Sequence, residues 1–171
     1  MRKLFILRAC IDLAFYLACF SVFIIVLFIP FAVLGYADEI PFKVQHKVLV
    51  IGSLESKLFL IIAGISSLIF LYSIYLLRNT IVYFIQKDLF NVKVIRNFNS
   101  IGICIIAYSL LINTFSLLYN TLTGHRDGFN LKIEFGFDSP LLAISLGLFF
   151  MVLSEVFKIA KNLKEENDLT L

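Results

Sequence analysis

The chain has 171 residues, of which 60% are hydrophobic and 16% are charged, and its mean hydropathy is +0.95. Soluble domains are about 45–50% apolar and about 25% charged, so these values argue against an ordinary soluble enzyme, a disordered chain and a protein that binds nucleic acid through a basic surface. The formal net charge is +3, and its distribution along the chain is more informative than its size.

Four apolar stretches follow one another, at residues 13–34, 58–77, 101–122 and 141–163. Each is about 20 residues or slightly longer, which at a rise of about 1.5 Å per residue crosses a hydrocarbon layer of about 30 Å. Backbone groups in lipid must satisfy their own hydrogen bonds, so each stretch is predicted to be a helix. The sequence therefore predicts an all-α membrane protein, a single domain over residues 1–171 built as a bundle of four transmembrane helices.

The basic start of the chain resembles the beginning of a signal peptide. However, the apolar stretch that follows runs from residue 13 to residue 34. A signal-peptide core is about 7–15 residues long, so we predict that this stretch is retained as the first span.

The distribution of basic residues predicts the orientation. Segments rich in basic residues alternate along the chain with connections that hold fewer. The N-terminus, the central loop and the C-terminus hold ten basic residues, namely Arg2, Lys3, Arg8, Arg78, Lys87, Lys93, Arg96, Lys158, Lys161 and Lys164. The other two connections hold five, namely Lys43, Lys47, Lys57, Arg126 and Lys132. The positive-inside rule then places both termini and the central loop in the cytoplasm.

The two connections on the other side are patterned. Apolar residues alternate with polar ones over residues 129–138 and nearly alternate over residues 42–50. A period of two is typical of a half-buried strand. An isolated pair of strands is marginal in water, so we predict a small extracytoplasmic β-hairpin-like element that packs on the helix ends.

The central loop, residues 78–100, is also patterned. We predict that the second helix continues through about Gln86, that a short break follows at residues 88–91, and that an amphipathic segment leads into the third span. Such a segment suits the membrane interface, where its basic groups face anionic headgroups. It is interpreted either as a connector between spans or as a docking face for a cytoplasmic partner.

Three polar residues within or beside the spans are candidates for a functional role. Asp12 lies just inside the first helix, one turn after Arg8, and is predicted to anchor that helix end. Glu155 lies near the end of the fourth span and is predicted to pair with Lys158 or Arg8. Asn113 lies near the middle of the third span, where we expect a hydrogen bond to another helix.

Small residues recur at a spacing of four, as Ala14 and Ala18 and as Ala143 and Gly147. This spacing allows close helix packing, either within the chain or with another copy. The sequence therefore leaves a homo-oligomer open.

No motif for catalysis, cofactor binding or metal binding is recognised. His46 and His125 have no second ligand at suitable spacing, and no HExxH, GxSxG, CxxC or phosphate-binding glycine loop is present. The cysteines, Cys10, Cys19 and Cys104, are interpreted as small buried hydrophobic residues. We therefore expect no enzyme, no cofactor and no direct contact with nucleic acid.

Two segments carry a family resemblance. The central loop reads Lys87-Asp88-Leu89-Phe90-Asn91, then Val94-Ile95-Arg96-Asn97-Phe98-Asn99-Ser100-Ile101-Gly102, and the chain ends in Leu163-Lys164-Glu165-Glu166-Asn167-Asp168-Leu169-Thr170-Leu171. Together with four spans after a basic N-terminus, these segments resemble the bacterial membrane proteins of the domain of unknown function 2975 family. Leu89 stands where that family usually has proline.

The resemblance implies no established activity. Members of this family are often encoded beside a small helix-turn-helix regulator, which implies that the central loop and the tail hold such a DNA-binding regulator at the bacterial inner membrane. The candidate partner-binding residues are Arg96, Glu165, Glu166 and Asp168. The alternative is a small transporter or permease-like subunit, for which the sequence offers mainly Asn113 and serines at mid-membrane.

Overall fold

The computed structural model describes residues 2–34, 54–122 and 139–169, and the regular structure in these ranges is helical. Its elements are α1 (Arg2–Leu34), α2 (Leu54–Ile85), α3 (Val92–Leu122) and α4 (Pro140–Leu169). Each is long and apolar enough to span a membrane. The described part of the chain is therefore helical, and the chain is a multi-pass membrane protein.

The predicted β-hairpin-like element has no support. Residues 42–50 and 129–138 lie outside the described residues, and the described ranges contain no strand.

The four helices pack as an antiparallel row in chain order. Among the described residues, backbone contacts join α1 to α2, α2 to α3 and α3 to α4, and join no other pair of helices. The predicted bundle is therefore open between α1 and α4. In lipid, the outer faces of these two helices need no protein neighbour, because acyl chains are as apolar as leucine side chains.

One end of the row holds the start of α1, the turn between α2 and α3, and the end of α4; we call it the turn end. The ten basic residues that the orientation count assigns to one side all belong to helix segments or to the turn at this end. The row thus gathers the larger group of basic residues at one end of the molecule.

The apolar stretches of α1, α2 and α3 lie side by side. Antiparallel contacts align them, namely Asp12 with Arg78, Phe15 with Tyr75, Thr80 with Asn97, and Phe59 with Tyr119. These three helices therefore share one apolar layer, with charged groups at the edge nearest the turn end.

α4 is shifted along α3 toward the turn end. Three contacts set this register, namely Ile95 O with Ser154 Oγ (2.7 Å), the backbone of Gly102 with that of Gly147, and Ser109 Oγ with Pro140 O (3.4 Å). α4 thus begins beside the middle of α3, and residues 110–122 of α3 continue about 20 Å beyond that point. At the other end, α4 runs about 18 Å past the start of α3.

Two glycines permit the contact between α3 and α4. A Cβ atom at Gly102 would lie only 2.4 Å from Gly147 O, and one at Gly147 would lie 2.8 Å from Gly102 O. Small residues let the backbones of membrane helices approach closely. Gly147, one of the small residues predicted to pack, therefore packs within the chain.

Candidate functional site

The turn between α2 and α3 is tightly built. Lys87 N–H donates to Phe84 O (3.2 Å) and Asp88 N–H donates to Tyr83 O (3.0 Å), while Lys87 has a φ of 61°. This pair of bonds around a left-handed residue is the Schellman motif, which usually places glycine where Lys87 stands. The motif ends α2 at Ile85, one residue before the predicted end at Gln86.

Asn91 begins α3. Its Oδ1 accepts a hydrogen bond from Lys93 N–H (2.9 Å), which makes Asn91 the N-cap of the helix. Its Nδ2 donates to Asp88 Oδ2 (2.7 Å), so the same side chain also ties the turn together. The turn is therefore a defined surface of the molecule.

The last turns of α4 lie against this turn and form a groove with it. The groove has a volume of about 280 Å³ and is lined by residues 87–90 of the turn together with Lys161, Lys164, Glu165 and Asp168. Lys164 Nζ lies 5.8 Å from the centre of the Phe90 ring, and Lys161 Nζ lies 3.2 Å from Glu165 Oε1. The two segments that carry the family resemblance thus meet in space.

The half of α4 nearest the turn end carries an apolar stripe. By the register with α3, Val152 lies at the depth of Asn97, which donates to Thr80 next to the charged edge. The stripe comprises Val152, Val156, Ile159 and Leu163, whose spacing of four, three and four residues puts them on one helix face. These residues are 54–60% exposed, so an apolar surface projects from the turn end.

A second polar cluster joins α1 to α2 at the charged edge. Arg78 Nε lies 2.5 Å from Asp12 Oδ1, and Arg8 Nε lies 3.8 Å from Asp12 Oδ2. The Arg78 guanidinium also lies 5.3 Å from the centre of the Phe15 ring and 5.9 Å from that of Tyr16. Arg8 was expected to accompany Asp12, whereas Arg78 was not, because the sequence does not show which helix faces meet.

The candidate partner-binding residues divide into two pairs. Glu165 and Asp168 line the groove, whereas the lining does not include Arg96 and Glu166, which are both exposed. Arg96 lies on α3, four residues after its first residue, Val92. The structure thus brings together half of the predicted set.

The predictions for Asn113 and Glu155 need correction. Asn113 Nδ2 donates to Ser109 O (2.7 Å) in its own helix rather than to another helix, because an asparagine side chain inside a helix can reach the carbonyl one turn earlier. Glu155 is exposed, and within the described ranges it forms no ion pair with Lys158 or Arg8. Arg8 is held by Asp12 instead.

The cysteine prediction is also wrong. Cys10 is exposed, and Cys19 and Cys104 are partly exposed. They lie on apolar helices whose outer faces meet lipid rather than protein, so a small apolar side chain there need not be buried in the chain.

The described residues at the turn end offer three surface features. Within the described ranges, no group of three His, Cys, Asp or Glu side chains could hold a metal ion. His46 and His125 lie outside these ranges. What the described turn end combines is a polar groove, an apolar stripe and a pair of guanidinium groups.

Comparison with known proteins identifies the family. A family model described as "Protein of unknown function (DUF2975)" matches residues 9–171. No curated protein and no solved structure matches the chain. Because the family model covers nearly the whole chain, the protein belongs to the DUF2975 family of proteins of unknown function.

Proposed function

We propose that the chain is a non-enzymatic membrane protein that binds a small cytoplasmic protein at its turn end. The projecting stripe of α4, residues Val152, Val156, Ile159 and Leu163, would receive an apolar helix face of the partner. The groove between the turn and the tail would supply polar contacts beside it.

The observation that carries this proposal is the position of the stripe. Ile159 and Leu163 lie about 10–17 Å past Val152, the residue level with the charged edge of the other helices. The candidate spans of α1 and α2 end at Leu4 and Ile85, and the register on α3 carries Ile159 and Leu163 past the start of α3, so we place these two residues outside the hydrocarbon. Apolar side chains exposed outside the hydrocarbon mark a surface for a protein partner, and an amphipathic helix commonly binds through such a stripe.

The family suggests the partner. The resemblance implies a small helix-turn-helix regulator encoded beside the gene, and the excess of basic residues supports placing the turn end in the bacterial cytoplasm. Holding this regulator at the inner membrane would keep it away from its DNA sites.

The test is fractionation of that regulator with and without the chain. We expect it in the membrane fraction when the full chain is present, and in the soluble fraction when Ile159→Glu or a deletion of residues 164–171 replaces it. A charge in a desolvated contact should weaken binding at least tenfold.

The matched control is Lys158→Glu, which changes a neighbouring exposed residue on a different face of α4. It should retain the regulator. A regulator that stays soluble with the unaltered chain would contradict the proposal, and equal losses with both variants would show that the stripe is not the contact.

Transport is a second candidate, favoured by the depth of several polar groups. Ser109 and Asn113 lie at the level where α4 begins, and the buried Ser66 hydroxyl has no hydrogen-bond partner among the described residues. Helices that begin inside the membrane are common in transporters. A flux assay in proteoliposomes tests this reading: transport lost in Asn113→Ala would support it, and no flux with any solute class in the unaltered chain would oppose it.

A further inference from the structure

We propose that the side-chain cluster of Arg8, Asp12 and Arg78, where α1 packs on α2 near the turn end, binds the phosphate of an anionic phospholipid through its two arginines. This site is separate from the partner surface on α4, and it does not depend on the proposed function. Its ligand would belong to the membrane itself.

The two arginines converge on one carboxylate. Both approach Asp12 through Nε, Arg78 at 2.5 Å and Arg8 at 3.8 Å. The side chains of Arg8 and Arg78 are 44% and 35% exposed, so the cluster is open to the surroundings on one side. The terminal amino groups of a guanidinium form a planar fork that matches the geometry of phosphate.

The charges of the cluster do not cancel. Two guanidinium groups and one carboxylate sum to a charge of +1. The ion pair between Arg78 and Asp12 is enough to join α1 to α2. Arg8 is a second cation in the cluster that this pairing does not require. A phosphodiester carries one negative charge at neutral pH and would neutralise the cluster.

The depth of the cluster suits a lipid headgroup. The apolar stretch of α1 begins at Leu13, directly after Asp12, and that of α2 ends at Leu77, directly before Arg78. Apolar residues continue toward the turn end in both helices, to Leu4 in α1 and Ile85 in α2, so the cluster lies inside the ends of the two candidate spans. Long arginine side chains at such a depth extend toward the headgroups, where they meet lipid phosphates. This argument is the same whichever side of the membrane the turn end faces.

Aromatic residues frame the cluster. Arg78 lies near the rings of Phe15 and Tyr16, and the Phe15 ring centre lies 6.4 Å from that of Tyr75. Tyr16 is 62% exposed and Tyr75 is 48% exposed. Exposed tyrosines are enriched at membrane interfaces, where the ring contacts acyl chains and the hydroxyl faces the headgroups.

The test is a titration of the purified full chain in detergent micelles, with bound lipid counted by native mass spectrometry. We expect phosphatidylglycerol to bind at least tenfold more tightly than phosphatidylcholine. Arg8→Gln should remove most of this preference, because a lost charge-assisted hydrogen bond costs at least about tenfold in affinity. Arg8→Gln keeps the contact between Arg78 and Asp12, so the helices should remain packed.

Two further variants separate lipid binding from helix packing. Arg96→Gln removes an exposed basic residue of the turn end outside the cluster and should leave the preference for phosphatidylglycerol unchanged. Asp12→Asn raises the cluster charge to +2 and should keep or increase the preference. An Arg8→Gln variant that binds phosphatidylglycerol like the Arg96→Gln control would overturn the proposal, whatever Asp12→Asn does.

A final arm distinguishes a lipid from a soluble anion. Inorganic phosphate should fail to displace phosphatidylglycerol, since a free ion has no acyl chains to hold beside the aromatic rings. Displacement by millimolar phosphate would show that the cluster is a site for soluble phosphate and would overturn the assignment to lipid.

Discussion

At the scale of single residues, a few contacts hold the row of helices together. Gly102 and Gly147 bring the backbones of α3 and α4 into contact, and Asp12 with Arg78 joins α1 to α2. Substitutions can test both contacts. The glycine contact depends on the absence of a side chain, and the contact of Asp12 with Arg78 depends on opposite charges.

The first prediction concerns Gly102. Gly102→Ala should destabilise the protein by about 1–3 kcal/mol, because the new Cβ meets the backbone of Gly147, which cannot move without shifting a helix. Thermal unfolding in detergent measures the change. Gly64→Ala is the matched control: its Cβ meets the flexible end of Ile29, so the change should be near zero or stabilising. Equal effects at the two positions would contradict this account.

The second prediction concerns the pair formed by Asp12 and Arg78. In a double-mutant cycle with Asp12→Asn and Arg78→Gln, we expect the double variant to lose less stability than the sum of the two single variants, because the two groups are in direct contact. Unfolding of the two single variants and the double variant provides the measurement. Strict additivity would mean that the contact contributes nothing to the packing of α1.

At the scale of elements, the turn between α2 and α3 is the most sharply defined feature of the turn end. Its Schellman motif places Lys87 at a φ of 61°, and its Asn91 side chain caps α3. A side chain in the left-handed region costs about 1–2 kcal/mol, and Lys87 retains that cost. Lys87 therefore adds a positive charge to the groove, although its backbone conformation is unfavourable.

The third prediction follows from this strain. Lys87→Gly should raise stability by about 0.5–1 kcal/mol, since glycine adopts a positive φ freely and loses only part of that gain to its greater freedom when unfolded. Lys87→Ala is the control and should give no gain, because alanine keeps the left-handed cost. A gain of the same size in both variants would indicate relief of charge repulsion instead.

At the scale of the whole molecule, the shift of α4 is the feature with the largest consequence. Ser154, Gly147 and Pro140 set its register on α3, and this register carries the end of α4 about 18 Å past the start of α3. The apolar stripe and the groove are both results of that shift.

The fourth prediction tests this depth by cysteine labelling. In a chain whose native cysteines are replaced by alanine, Ile159→Cys should react with a membrane-impermeant maleimide at least about tenfold faster than Phe23→Cys. The two positions are 57% and 61% exposed, so a difference reports depth in the membrane rather than burial in the protein. Equal protection of both would mean that α4 spans the layer as α1 does.

The sequence by itself determined the helices and their grouping. Hydropathy is a local property, and lipid forces each long apolar stretch to satisfy its backbone internally, so four helices and the gathering of ten basic residues at one end followed directly. The resemblance carried by the central loop and the tail also pointed to the family that the family model shows. The meeting of Glu165 and Asp168 with the turn was anticipated only as complementary charge.

The tertiary structure alone decided how these helices pair. In the structure Asp12 pairs with Arg78, and Asn113 forms its hydrogen bond within α3. α4 is displaced along α3 toward the turn end, and α1 and α4 are not in contact in the described row. The physical reason is that lipid solvates every apolar face as well as another helix does. Packing is then decided by shape and by a few polar contacts, such as the approach of Gly102 to Gly147, and no hydropathy pattern encodes them.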